Sequence, residues 1–168
     1  MRIYLCAFGK LRTPGLRETA DYYKKMIQPW VALEEVELKA LAVPDKSLVS
    51  RSKIQNKEAE LLLEALKDRL SSRGVLYCLD ERGKALPTST AKSSWSTLVT
   101  DWESQSIPEL ALCIGSSLGF GDAVREKAKG LFSLGPQTLS HELARVVLLE
   151  QLYRAWSVVR GHPYHVAE

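Results

Sequence analysis

The 168-residue sequence has no apolar run approaching the roughly 20 residues that a bilayer-spanning helix requires. It also opens straight into a strand-like pattern, without the charged and apolar regions of an export leader, so a cytoplasmic protein with no membrane partner is expected. Cysteine is scarce. Cys6, Cys78 and Cys113 are odd in number, far apart and never in a CxxC pair. Each sits inside an apolar run (IYLCAF, VLYCLD, LALCIG), which reads as small buried residues of central strands, and no metal is expected. Neither charge sign dominates, since 23 Lys and Arg face 20 Asp and Glu for a net charge of +3. That balance permits a nucleic-acid partner without demanding one. Repeats, low-complexity stretches and linkers are missing too. Residues 1–168 are therefore expected to form one domain, with 161–168 as a C-terminal tail.

What is present alternates between strand and helix patterns. Arg2 to Phe8 reads as a strand, Pro14 to Ile27 as a helix and Leu33 to Ala40 as a second strand. Ala42 to Ser52 is polar, contains Pro44 and reads as a loop, after which Lys53 to Leu70 carries helical apolar spacing. Gly74 to Leu79 and Glu109 to Ile114 are short and nearly all apolar, as strands buried on both faces are. Between them, Asp80 to Pro87 reads as a loop and a helix follows to about Glu103. Asp122 to Gly130 reads as a short helix, Leu131 to Leu134 as a short strand, and His141 to Arg160 as the closing helix. Strands separated by helices of this length predict an α/β fold, a parallel sheet covered by helices on both faces.

Ligands of such sheets bind beyond the carboxyl ends of the strands. Three segments qualify: Leu79 to Lys84, Gly115 to Gly121, and Leu134 to Leu139. The glycines of the second match neither the dinucleotide fingerprint nor the phosphate-binding loop. In the third, Gly135-Pro136 precedes a helix for which Ser140 is a plausible cap, and bare backbone groups there can read an adenine edge.

All three histidines fall between Thr138 and His165, and the chain ends in Arg160-Gly161-His162-Pro163-Tyr164-His165. A packed core needs no such tail; titratable groups beside a stacking ring suit a flat polar substrate. The preceding helix has two apolar faces, broader than one surface stripe. One is expected to meet a second subunit, with Trp156 at the interface. Arg154 has Glu150 one turn earlier as a ready ion-pair partner.

The block Thr138-Leu139-Ser140-His141, then Arg145 to Ala155, then His162-Pro163-Tyr164-His165 closely resembles the RlmH family. These SPOUT-class enzymes methylate N3 of a pseudouridine in bacterial large-subunit ribosomal RNA. Phe8-Gly9-Lys10-Leu11, Leu79-Asp80 and Ile114-Gly115 fall in the family's order, so the resemblance spans essentially the whole chain. It departs at Ser116, where the family usually has a second glycine, and at Ser140, where it has proline. The resemblance implies a SPOUT-type sheet with a C-terminal trefoil knot, a homodimer, and S-adenosylmethionine as methyl donor. It also implies cofactor contacts at Leu79, Gly115 and the loop Leu134, Gly135, Pro136, Gln137, Thr138 and Leu139.

Methyl transfer from a sulfonium asks mainly for alignment, plus removal of the imide proton from N3. His165 is the expected base or orienting group, Tyr164 the stacking or edge-bonding residue, and Arg154 a holder of phosphate or of developing carbonyl charge. Two other readings stay open on the residues alone. One is a non-catalytic ribosomal-RNA-binding protein, the other a nucleotide-binding domain using the Gly115 turn.

Overall fold

A computed structural model describes residues 1–45, 47–89 and 92–164. In chain order the elements are β1 (Arg2–Phe8), α1 (Leu16–Ile27), β2 (Ala32–Leu38), α2 (Leu48–Lys67), β3 (Val75–Ala85), α3 (Trp95–Ser104), β4 (Glu109–Ile114), α4 (Asp122–Lys127), β5 (Gly130–Ser133) and α5 (His141–Val159). The strands form one sheet in the order β2-β1-β4-β3-β5, and every pairing is parallel.

Strand alternation sorts the side chains onto two faces. Ile3, Leu5, Ala7, Leu110, Leu112 and Ile114 point into a core built with α1, α3 and α5. Tyr4, Cys6, Phe8, Cys78, Ala111 and Cys113 point the other way, against Ala59, Leu62 and Leu66 of α2 and Val124 of α4. All three cysteines are thus free and buried in one small cluster. Burial pushes the Cys78 thiol up to about 12 and that of Cys113 well above its usual value, which makes both poor nucleophiles.

Two boundaries differ from the sequence pattern. α2 begins at Leu48 rather than Lys53, because the Ser47 hydroxyl accepts the Ser50 N–H and caps the helix despite the polar surroundings. β3 does not stop at Leu79. Asp80 accepts the Arg82 N–H, and the strand rejoins β5 so that Leu79 and Lys84 both lie opposite Phe132. This irregular excursion carries Gly83 so close to β5 that an added Cβ would fall 2.6 Å from the backbone of Leu131 and Phe132.

α5 is the central helix of its face. Leu148, Leu149, Leu152, Ala155 and Trp156 are all fully buried by the chain's own packing. Trp156 therefore does not lie on an exposed interface face: it packs against Trp102 of α3, with ring centroids 6.5 Å apart. The first turns of α5 also bury a charge. The Arg145 guanidinium donates to Glu37 (2.8 Å) and Glu35 (3.2 Å) of β2 and to the Gly9 carbonyl (2.8 Å) after β1. Arg17 and Lys24 of α1 approach the same Glu35. Burial alone would raise the Glu35 pKa, but the hydrogen bonds from Arg17 and Lys24 hold it at about 2.

Candidate active site

The register places Leu79 beside both Ile114 and Phe132. Leu79, Gly115 and Leu134 consequently lie at one edge of the sheet, where β4 and β5 end and β3 enters its excursion. At about 4.8 Å per strand, the three loops converge within roughly 10 Å. The sheet thus brings together all the segments expected to contact the cofactor.

The turn after β4 is braced from behind. Gly115 is buried with the Gly119 backbone about a contact away: a Cβ on it would lie 3.1 Å from Gly119. The Gly119 N–H donates to the Ser116 carbonyl (2.9 Å), and Gly119 itself has a φ of 69°. Two α2 side chains reach across. Gln55 Nε2 donates to the Leu118 carbonyl (2.7 Å), and Glu58 accepts from the Ser116 hydroxyl (2.7 Å), which in turn accepts the Leu118 N–H. Glu58 is only 3% exposed, and burial raises its pKa, partly offset by the Ser116 bond. Ser116, the departure from the family's glycine, thus satisfies one oxygen of a buried carboxylate, while the other, Oε1, has no hydrogen-bond partner among the described residues.

The loop after β5 is open to solvent. Pro136, Gln137 and Thr138 are exposed, and Leu134, Gly135 and Leu139 half-buried. Ser133 fixes its base, its hydroxyl donating to the Gly135 carbonyl (2.8 Å) and accepting the Gly135 N–H (3.2 Å). Gly135 has a φ of 135°, a conformation that side-chain-bearing residues rarely adopt. Ser140 caps α5 by accepting the Leu143 N–H, so serine serves at the position where the family has proline. Below the loops, Asp80 binds Arg125 of α4 at 2.8 Å and ties the β3 excursion to the helix that follows the Gly115 turn.

Arg154 and Tyr164 lie elsewhere. From His141 to Arg154 α5 rises about 20 Å, away from the strand ends. There Arg154 pairs with Glu150, as the spacing predicted, and its guanidinium sits 5.1 Å from the Tyr164 ring centroid. Tyr164 does not trail free of the last packed turn. Its ring lies 4.3 Å from that of Tyr153, and its hydroxyl is 3.4 Å from Glu150. Burial, then Tyr23, raises the Tyr164 pKa, so the hydroxyl stays protonated and acts as a donor. His165 lies outside the described residues. Within one protomer, then, the loop cluster and the Arg154–Tyr164 cluster are not brought together.

Sequence reasoning missed Glu58, Gln55, Asp80 and Arg125. Their roles depend on partners far away in the chain, and α2 carried no signal beyond an acidic residue among apolar ones. Comparison with known proteins agrees with the fold. A family profile described as a predicted SPOUT methyltransferase matches residues 1–165. The chain is 36% identical over 166 residues to ribosomal RNA large subunit methyltransferase H of Syntrophotalea carbinolica, covering 98% of this chain and 99% of that one. The proteins of the same name from Streptococcus gordonii and Rhodospirillum centenum are 34% and 33% identical, over 98% and 99% of this chain and 99% and 100% of their own lengths. A parallel five-stranded sheet with convergent loops and matches along the whole chain lead to one assignment: the protein belongs to the SPOUT methyltransferases, within the ribosomal RNA large subunit methyltransferase H family.

Proposed function

We propose that this protein methylates N3 of a pseudouridine in large-subunit ribosomal RNA, with S-adenosylmethionine as donor. The observation that carries this is the convergence of Leu79, Gly115 and Leu134 at one sheet edge, in a chain matched end to end by ribosomal RNA methyltransferases. The loops fit a nucleoside. They carry no charged side chain from Leu134 to Leu139, and they present backbone groups beside a half-buried apolar Leu79. S-adenosylmethionine supplies an activated methyl group; the protein's task is alignment and proton removal. The proposed assembly is cytoplasmic and works on ribosomal RNA. In it, residues 1–168 act as one domain, with the C-terminal trefoil knot of the SPOUT class.

Replacing Gly135 tests the cofactor loop. Valine there meets no neighbour closer than 3.6 Å, but it strains a φ of 135° and places a branched side chain where the adenosine would approach. S-adenosylhomocysteine affinity is expected to fall by about tenfold or more, a loss on the order of 1.4 kcal/mol, in a protein that still unfolds cooperatively. Calorimetric titration measures this. Unchanged affinity would move the nucleoside to another loop. Triphosphate binding by the wild type in place of the donor would favour the phosphate-binding reading of the Gly115 turn.

The separation of the two clusters calls for a second copy. One stripe of α5 remains half-exposed in the protomer: Leu143 at 39%, with Val147, Gln151, Arg154 and Val158 below it. A two-fold axis across this stripe would run two α5 helices antiparallel. The Arg154–Tyr164 cluster of one copy would then lie beside the loops of the other. Val147→Glu is expected to yield folded monomers that bind S-adenosylhomocysteine but do not methylate ribosomes. Sedimentation checks the state, and a monomeric wild type at micromolar concentration would sink the composite site. Trp156 cannot serve in this test, because a glutamate there would enter the protomer's own core.

A further inference from the structure

The buried charges around Arg145 have a consequence at the surface. The loop from Gly9 to Gly15 leaves β1 at the same sheet edge as the cofactor loops, since β1 and β4 are parallel neighbours. Its backbone is fixed by two charged side chains from the start of α5. Glu142 accepts the N–H groups of Arg12 (2.9 Å) and Thr13 (2.8 Å), and Arg145 donates to the Gly9 carbonyl (2.8 Å). The first contact, from the Thr13 backbone, holds the Glu142 carboxyl below its ordinary pKa.

That loop exposes Lys10 and Arg12. Neither side chain makes a hydrogen bond or ion pair among the described residues, so their charges are not spent inside the protein. On the other side of β4, the β3 excursion exposes Arg82, whose backbone is likewise pinned, by Asp80 at 3.0 Å. The strand order β1-β4-β3 sets these cations on either side of the uncharged Gly115 turn. The strands that carry them, β1 and β3, are two strand spacings, or roughly 10 Å, apart. Arg125, the other arginine nearby, is engaged with Asp80 and takes no part.

We propose that Lys10, Arg12 and Arg82 form a rigid cationic rim that grips the phosphate backbone of the ribosomal RNA strand carrying the target nucleotide. The proposal rests on the methyltransferase reading of the Gly115 turn above. Two features favour RNA over a small anion. The cations are spread along an edge rather than focused on a point. The turn they flank, Gly115 to Gly121, carries no charged side chain, which suits a neutral base. Phosphate contacts of this kind set register and affinity without reading sequence. The rim therefore acts on substrate capture and not on the chemical step.

The test uses the full-length protein, ribosomes from cells lacking the modification, and labelled S-adenosylmethionine, across a series of salt concentrations. Lys10→Ala, Arg12→Ala and Arg82→Ala are each expected to raise the KM for ribosomes several-fold. Each should also lower the slope of log(1/KM) against log salt by about one, the signature of one lost phosphate contact. The kcat and the affinity for S-adenosylhomocysteine should hold, and Lys10→Arg should restore the slope. Lys67→Ala, on the far end of α2, is the control for general loss of positive charge. If the rim variants keep the wild-type KM and salt slope, or if Lys67→Ala matches them, the rim is wrong. A fall in kcat without a change in KM would also overturn it, by placing these residues in the chemistry. The underlying reading fails separately, if wild-type protein neither binds S-adenosylhomocysteine nor methylates ribosomes.

Discussion

Removing Tyr164 to Glu168 is expected to abolish measurable methyl transfer while leaving S-adenosylhomocysteine affinity unchanged. The loops proposed to hold the donor end at Leu139, and α5 separates them from Tyr164, so truncation leaves that pocket's walls intact. What disappears is a protonated tyrosine hydroxyl, an aromatic face and, with His165, the imidazole proposed to take the N3 proton. General base catalysis by a positioned side chain contributes about 100- to 10,000-fold, and loss of orientation adds to it. Stability should drop as well, though modestly. The Tyr164 ring packs on Tyr153 and under Arg154, contacts worth about 1 kcal/mol each at a partly exposed site. Tyr164→Phe and His165→Ala divide the loss. Because burial and Tyr23 raise the Tyr164 pKa, Tyr164→Phe should lower the rate equally at all pH values near neutrality. His165→Ala should instead remove the rate's rise with pH. A truncated enzyme that methylates ribosomes at the normal rate would strike the tail from the mechanism.

The contrast between Trp156 and Tyr164 shows what sequence patterning can and cannot convey. The breadth of the apolar surface on α5 was plain, but periodicity does not say which molecule covers a face, and the sequence pattern led to Trp156 being expected at a subunit interface. α3 turned out to cover the Trp156 side, through Trp102. The half-exposed stripe on Leu143 and Val147 is what remains for a partner. The strands β1 and β4 were legible to the residue, because strands buried on both faces leave an uninterrupted apolar run. The excursion of β3 was not. Asp80-Glu81-Arg82-Gly83-Lys84 has loop composition, and the partner that holds Asp80 is Arg125, a residue 45 positions later. The loop cluster was legible through a general rule about strand ends. Glu58 behind it was invisible, since one of three glutamates on a helix of mixed charge carries no mark of being buried.

Gly83→Ala is expected to destabilise the protein strongly. Its backbone crosses β5 so closely that a Cβ would lie 2.6 Å from three backbone atoms of Leu131 and Phe132. Backbone cannot rotate aside as the tip of a side chain can, so Gly83→Ala must separate β3 from β5 or move the excursion. Overpacking of a rigid contact costs about 1–3 kcal/mol, sometimes more, and here it is met by strands that also carry Leu79 and Leu134. The expected result is a urea midpoint lowered by a large part of the total stability, with S-adenosylhomocysteine binding lost at the same time. Gly121→Ala provides the comparison. Gly121 has an ordinary φ of −74°, and its added Cβ would touch Gln55 at an ordinary 3.5 Å, so its midpoint should stay near that of the wild type. Equal midpoints for Gly83→Ala and the wild type would mean that the two strands do not cross closely in solution.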